Sequence, residues 1–205
     1  MKTILLSGFG LWGLEAYNSS WDILHENPLA LPDDWQPRLH QLPVSWKKVP
    51  DALDELLRDS DVRVVICFGM CGGRTINVER IAINLNDIDR EDADGARPPG
   101  ENVVPLGPPA YWTGLPAAAT FAALRSARVP AAESRSAGGF LCNFTFYHLM
   151  HRLAARKPAT VGGFIHVPHY ETEGGLPAEM LNLAVPVIAI EAVKHAEALM
   201  QKAPG

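Results

Sequence analysis

A chain of 205 residues, 47% hydrophobic and 20% charged, can bury one sizeable core but is short for two ordinary domains. A formal net charge of −5, with lysines and arginines scattered rather than clustered, gives no electrostatic footprint for a nucleic-acid partner. No apolar run approaches the ~20 residues that span a bilayer. The opening "MKTILLSGFG" lacks the apolar length and cleavage site of a signal peptide, so the expectation is a cytoplasmic protein with no membrane partner. The odd number of cysteines, Cys67, Cys71 and Cys142, argues for reduced thiols rather than a disulfide framework.

In chain order, "KTILLSG" is a short apolar run ended by glycine and predicts a buried strand. "SSWDILHENPLALP" predicts a helix capped by Ser19 or Ser20 and running to Pro28. "QPRLHQLPV" is strand-like, and "WKKVPDALDELLRD" places Val49, Leu53, Leu56 and Leu57 at helical spacing. "DVRVVICFG" is the clearest buried strand. This alternation predicts an α/β fold with a mainly parallel sheet, in which ligands bind beyond the carboxyl ends of strands.

In "INVERIAINLNDIDREDADG", Ile76 and Val78 share one phase of a two-residue alternation, and Ile81, Ile83 and Leu85 share the other. The break falls at Glu79 and Arg80. A bulge or crossover there would turn Glu79 away from the surface pattern; the competing reading is an exposed charged pair at a strand end. Residues 87–116, rich in Pro, Gly and acids, are too long for an ordinary connection and are expected to form a loop over a site. "LPAAATFAALRSARVP" predicts a helix ending before Pro130, and "AAESRSAGG" a strand.

"GGFLCNFTFYHLMHRLAARK" then sets Phe146, Leu149, Met150, Leu153 and Ala154 on one helical face, which puts Cys142 at or near the helix N-terminus. There the macrodipole and unpaired backbone N–H groups favour a thiolate and can stabilise an oxyanion. A free cysteine is also a common core residue, and that reading stands beside the reactive one. "TVGGFIHVPHY" is an apolar strand with His166 at its end. Cys142, His166 and Glu79 can therefore be proposed as nucleophile, base and orienting carboxylate. The metal alternative, Cys67 with Cys71 or His166 with His169, matches no standard zinc set.

These stretches resemble the type I pyroglutamyl peptidases, also called pyrrolidone-carboxylate peptidases, over nearly the whole chain. "SGFGLWG" and "NSSW" resemble the family's opening motifs, "GGRTINVERIAINL" its glutamate motif, "GPPAYWTGLP" a bacterial stretch, "SAGGFLCNFTFY" its cysteine motif and "GGFIHVPH" its histidine motif. The resemblance implies a single-domain α/β/α sandwich spanning residues 1–205, with no metal or cofactor, assembling as a homodimer or tetramer. It implies hydrolysis of the amide bond after an N-terminal pyroglutamate in a blocked peptide or small amide. Cys142 would be the nucleophile, His166 the general base and then acid, and Glu79 the group that orients the imidazole. Phe9, Trp12 and Phe140 would hold the lactam.

The sequence also departs from the family pattern. Leu11 and Trp12 replace the usual proline and phenylalanine, and "HYETEGG" replaces the usual stretch after the histidine. Asp89 stands where an arginine is typical and Arg90 where an apolar pocket residue is typical. Arg90 is a candidate substrate-binding residue, expected to point to solvent or pair with Asp89, Glu91 or Asp92, since an unpaired buried charge is costly. The altered pocket keeps two alternatives open: an amidohydrolase for another acyl group, or a non-catalytic binding protein of the same fold.

Overall fold

The computed structural model describes residues 1–13, 16–25, 29–156, 159–171 and 174–202. The runs richest in branched apolar residues become its central strands: β1 (Lys2–Phe9), β3 (Val62–Cys71) and β8 (Val161–Pro168), the last buried along its whole length. Burial on both faces is what a continuous apolar run, as opposed to an alternating one, encodes. β2 (Trp35–Leu42) alternates more, exposes its middle and carries Pro37, all features of an edge strand. With β4 (Ile76–Glu79) and β7 (Ala131–Ser134) these form a six-stranded sheet of order β2-β1-β3-β8-β4-β7. Every neighbouring pair is parallel except β4 with β8.

Helices cover both faces. On one side α2 (Lys48–Leu56) and α4 (Leu141–Ala155) pack on Leu5, Val65, Cys67 and Phe164. On the other, α3 (Ala117–Ser126) and α5 (Ala178–Lys202), with the residues following the short α1 (Ser19–Asp22), pack on Ile4, Leu6, Ile66 and Ile165. The result is an α/β/α arrangement, and each large apolar side chain fully buried in it contributes ~1.5–3 kcal/mol.

Several elements differ from the sequence-based expectation. The first helix is one turn long and its cap is Asn18, whose side chain accepts from Ser20 N at 3.1 Å. Ser19 and Ser20 are instead used in tertiary bonds: Ser19 Oγ donates to Pro168 O, and Ser20 Oγ accepts from Phe9 N. Pro28, the expected end of that helix, lies outside the described residues. α4 is buried on nearly every side rather than amphipathic, and Ala154, expected on its apolar face, is exposed. The segment following β4 covers its outer side. That segment includes β5 (Ile81–Ile83), paired antiparallel with β6 (Ala110–Trp112), so the stretch expected as loop over 87–116 carries a strand of its own. α5 was not anticipated at all. Among the described residues no helix is long and apolar enough to cross a membrane.

Candidate active site

The chain reaches the reactive thiol through a glycine turn. Gly138 has φ +74°, a left-handed conformation that a side chain would strain, and Phe140 follows in an extended conformation as the N-cap of α4. The first backbone bond of the helix runs from Phe144 N to Phe140 O at 3.2 Å. The N–H groups of Leu141, Cys142 and Asn143 therefore precede the helical ladder and put partial positive charge at the helix end that carries Cys142. Cys142 is half-buried. Its sulfur fits against β3 because Gly69 has no side chain: a Cβ there would lie 2.9 Å from Cys142 Sγ and 2.8 Å from Phe164 Cζ.

His166 sits directly across from Gly69 in the β3–β8 register. It lies inside β8, two residues before the strand ends, rather than at the end itself. On its other side β4 runs antiparallel, with Asn77 opposite His166, so Glu79 is the diagonal neighbour on the same face. Glu79 Oε1 is 2.7 Å from His166 Nδ1, and both side chains are almost wholly buried. The exposed-pair reading of Glu79 and Arg80 is thereby overturned: β4 leaves the main sheet at Glu79, and only Arg80 turns outward, to pair with Glu133.

The imidazole bonds Glu79 through Nδ1, and the Cys142 side chain lies close enough to act on its charge. Burial alone would lower its pKa, but the negative charge of Cys142, its hydrogen bond and then Glu79 outweigh that and raise it to about 10. The ring is thus held as imidazolium at neutral pH. Glu79 Oε2 is buried with no hydrogen-bond partner among the described residues, so the contact through Oε1 with His166 is what engages this carboxyl group.

A cavity of about 270 Å³ opens over the sulfur, lined among others by Phe9, Trp12, Phe140, Arg90 and Cys71. The first loop is fixed by the "NSSW" stretch: Asn18 Nδ2 donates to Gly10 O at 2.9 Å while its Oδ1 accepts from Ser20. Trp12 and Phe140 rings meet at 5.3 Å, and Trp46 abuts Phe140 edge-on at 5.1 Å. Arg90 takes the solvent-facing placement rather than the paired one. It is solvent-exposed, yet its guanidinium lies 3.9 Å over the Trp12 ring at the cavity mouth, and none of its acidic neighbours pairs with it. Asp89 and Glu91 are both bound by Arg97, and the buried Asp92 accepts from Trp46 N, Asp94 N and Ala96 N.

The other thiols are chemically different. Cys67 is fully buried and Cys71 partly so, and burial pushes each up to about 12, with the charge of Cys142 and Glu79 adding to the effect at Cys71. Four residues apart on one strand, they stand ~13 Å from each other, too far to share a metal. His169 is engaged with the Tyr17 hydroxyl at 3.0 Å. Among the described residues no group of three or more His, Cys, Asp or Glu is placed to hold a metal ion.

The sequence profile of the pyroglutamyl peptidases matches residues 2–199. The chain belongs to the pyroglutamyl peptidase family. It is 44% identical to a pyrrolidone-carboxylate peptidase of Clavibacter michiganensis, covering 84% of this chain and 81% of that one. A second, from Bacillus cytotoxicus, is 36% identical over 92% of this chain and 88% of its own. The fold is similar to the crystal structure of Bacillus amyloliquefaciens pyroglutamyl peptidase I, with TM-score 0.88, 33% identity and coverage of 96% and 98% of the two chains. A mutant pyrrolidone carboxyl peptidase from Pyrococcus furiosus superposes with TM-score 0.86, at 30% identity and coverage of 94% and 98%.

Within this pyroglutamyl peptidase fold, three residues that sequence reasoning passed over help to build the site. Gly69 makes room for the sulfur. Trp46 braces Phe140 and ties down the chain at Arg90, whose carbonyl accepts from Trp46 Nε1 at 3.3 Å. Asn143, next to Cys142 and buried, accepts from Ile83 N and donates to Ile83 O and Leu85 O, fastening the covering segment to α4. A polar Asn inside an apolar helical run was the available signal for the last.

Proposed function

We propose that this chain hydrolyses the amide bond after an N-terminal pyroglutamate, with Cys142, His166 and Glu79 acting together. The observation that carries the reading is the buried 2.7 Å contact of Glu79 with His166, whose ring is charged chiefly by the neighbouring Cys142, a residue that lines an aromatic cavity. The Cys142 thiolate attacks the pyroglutamyl carbonyl, and the oxyanion that forms meets the free N–H groups at the start of α4. As the tetrahedral species collapses, the C–N bond breaks and the His166 imidazolium gives its proton to the departing amine. The acyl group is then a thioester on Cys142. Neutral His166 takes a proton from water, the hydroxide attacks the thioester, and 5-oxoproline leaves as the thiolate and imidazolium are restored. Glu79 holds Nδ1 and fixes the tautomer that keeps the other ring nitrogen toward the sulfur. Phe9, Trp12 and Phe140 supply an apolar wall for the neutral lactam.

The rest of the reading is coarser. A single-domain cytoplasmic enzyme is supported by three free cysteines, and action without nucleic acid by the net charge of −5. A dimer or tetramer is supported by the exposed apolar side chains Leu106, Trp112, Leu183 and Leu199; light scattering on the purified protein tests it. The test of function is hydrolysis of a pyroglutamyl amide by wild type beside Cys142→Ala. Wild type releases the amine, and the variant loses activity by a factor of at least about 10³ while staying folded. Substantial turnover by the alanine variant would exclude a thioester route.

A further inference from the structure

Arg90 is fixed at its base, and among the described residues no acid pairs with its tip. Its carbonyl accepts from Trp46 Nε1, and the following Asp92 accepts from three backbone N–H groups, so the main chain at Arg90 is anchored beside the cavity. The guanidinium lies over Trp12 at 3.9 Å, with Phe140 at 5.3 Å, and a cation held on an aromatic face keeps N–H donors that can still meet a carboxylate. The side chain is exposed, and Arg97 has taken the two acids that flank it in sequence. No acidic side chain among the described residues lines the cavity. Among the described residues, no acid compensates the positive charge at the cavity mouth.

A neutral lactam seated against Phe9, Trp12 and Phe140, with its acyl carbon at Cys142, gives that charge nothing to bind. The part of the substrate that leaves the cavity can. We propose that Arg90 selects, among peptides blocked by pyroglutamate, those whose next residue carries a carboxylate, either as an acidic side chain or as the free α-carboxylate of a dipeptide. The inference rests on the pyroglutamyl reading of the cavity. A guanidinium presents paired donors to a carboxylate, and at a solvent-exposed site such a pair is modest in strength and screened by salt.

The test uses two isosteric pairs of substrates: pyroglutamyl-glutamate amide against pyroglutamyl-glutamine amide, and pyroglutamyl-alanine against pyroglutamyl-alanine amide. At low ionic strength the wild type should favour the charged member of at least one pair by about fivefold in kcat/KM. The pair that responds identifies the carboxylate that is read, and the ratio should shrink as salt is added. Arg90→Gln should bring the ratio to about one whatever it does to the neutral members, and Arg90→Lys should keep part of it. Equal rates within both pairs in the wild type, or a preference that survives in Arg90→Gln, would overturn the inference while leaving the pyroglutamyl activity intact. Failure to cleave all four substrates would overturn the underlying reading and the inference with it.

Discussion

Three thiols occur in this chain, and their surroundings decide which one reacts. Cys142 faces an imidazolium and helical N–H groups, whereas burial pushes Cys67 and Cys71 up to about 12. Iodoacetamide at neutral pH should accordingly label Cys142 fast and the other two slowly, as read by peptide mass spectrometry. Fast labelling of Cys71, which lines the same cavity, would contradict this assignment. Under the proposed mechanism the raised pKa of His166 sets the alkaline side of the reaction. The departing amine needs the imidazolium proton, so turnover should fall as pH rises through about 10, the value to which Cys142 and then Glu79 raise the ring against the opposing effect of burial. In Cys142→Ala the ring loses its largest raising influence, and its NMR titration midpoint should move down. At this scale the sequence was informative where a residue's role follows from its immediate neighbours. Cys142 near a helix start, His166 in an apolar strand and Glu79 at a break in phase were legible as positions, while a core Cys142 and an exposed Glu79 stood beside them as alternatives. For Arg90 the choice between solvent and a paired acid was not legible, because it depends on Arg97, which takes Asp89 and Glu91.

Among the elements, α4 does more than present the nucleophile. Through Asn143 it binds both backbone groups of Ile83 and the carbonyl of Leu85, and through Tyr147 it donates to Pro108 O at 2.6 Å. Asn143→Leu would leave those Ile83 and Leu85 groups without their partner, a loss of about 3 kcal/mol in unfolding free energy. Urea denaturation should show that loss, and hydrogen exchange at residues 83–86 should speed up with it. An unchanged midpoint would mean that the covering segment is held by other contacts. The strands and α2 were readable because each has one clear period and one clear environment. α4 read as amphipathic because its pattern says nothing of a covering segment that comes from sixty residues upstream. α5 escaped notice because its alanine-rich run has apolar residues spread around it and Pro186 inside, which reads as a stop.

For the molecule as a whole, the strand order is the deciding feature. The β2-β1-β3 half of the sheet and the β4-β7 half meet only through β8. β8 brings His166, and it also places Glu79 on one side of that ring and Gly69, with the Cys142 sulfur against it, on the other. A chain ending at residue 160 should therefore lack both the base and the strand that unites the sheet. Its denaturant curve should show no cooperative transition, and its Cys142 should react with iodoacetamide no faster than an ordinary thiol. A sharp transition in that fragment would mean that the two halves associate without their shared strand.

The same strand order places a timing constraint on biosynthesis. A ribosome makes the carboxylate first, then the thiol, and the imidazole only with the strand that closes the sheet, at residues 161–168. Until that strand has cleared the exit tunnel, the nascent chain carries a cysteine with no partner to charge it and a glutamate with nothing to orient. Under the proposed mechanism, activity is thus withheld until residues 161–168 have joined the sheet, and a product interrupted before them should be inert toward every blocked peptide around it.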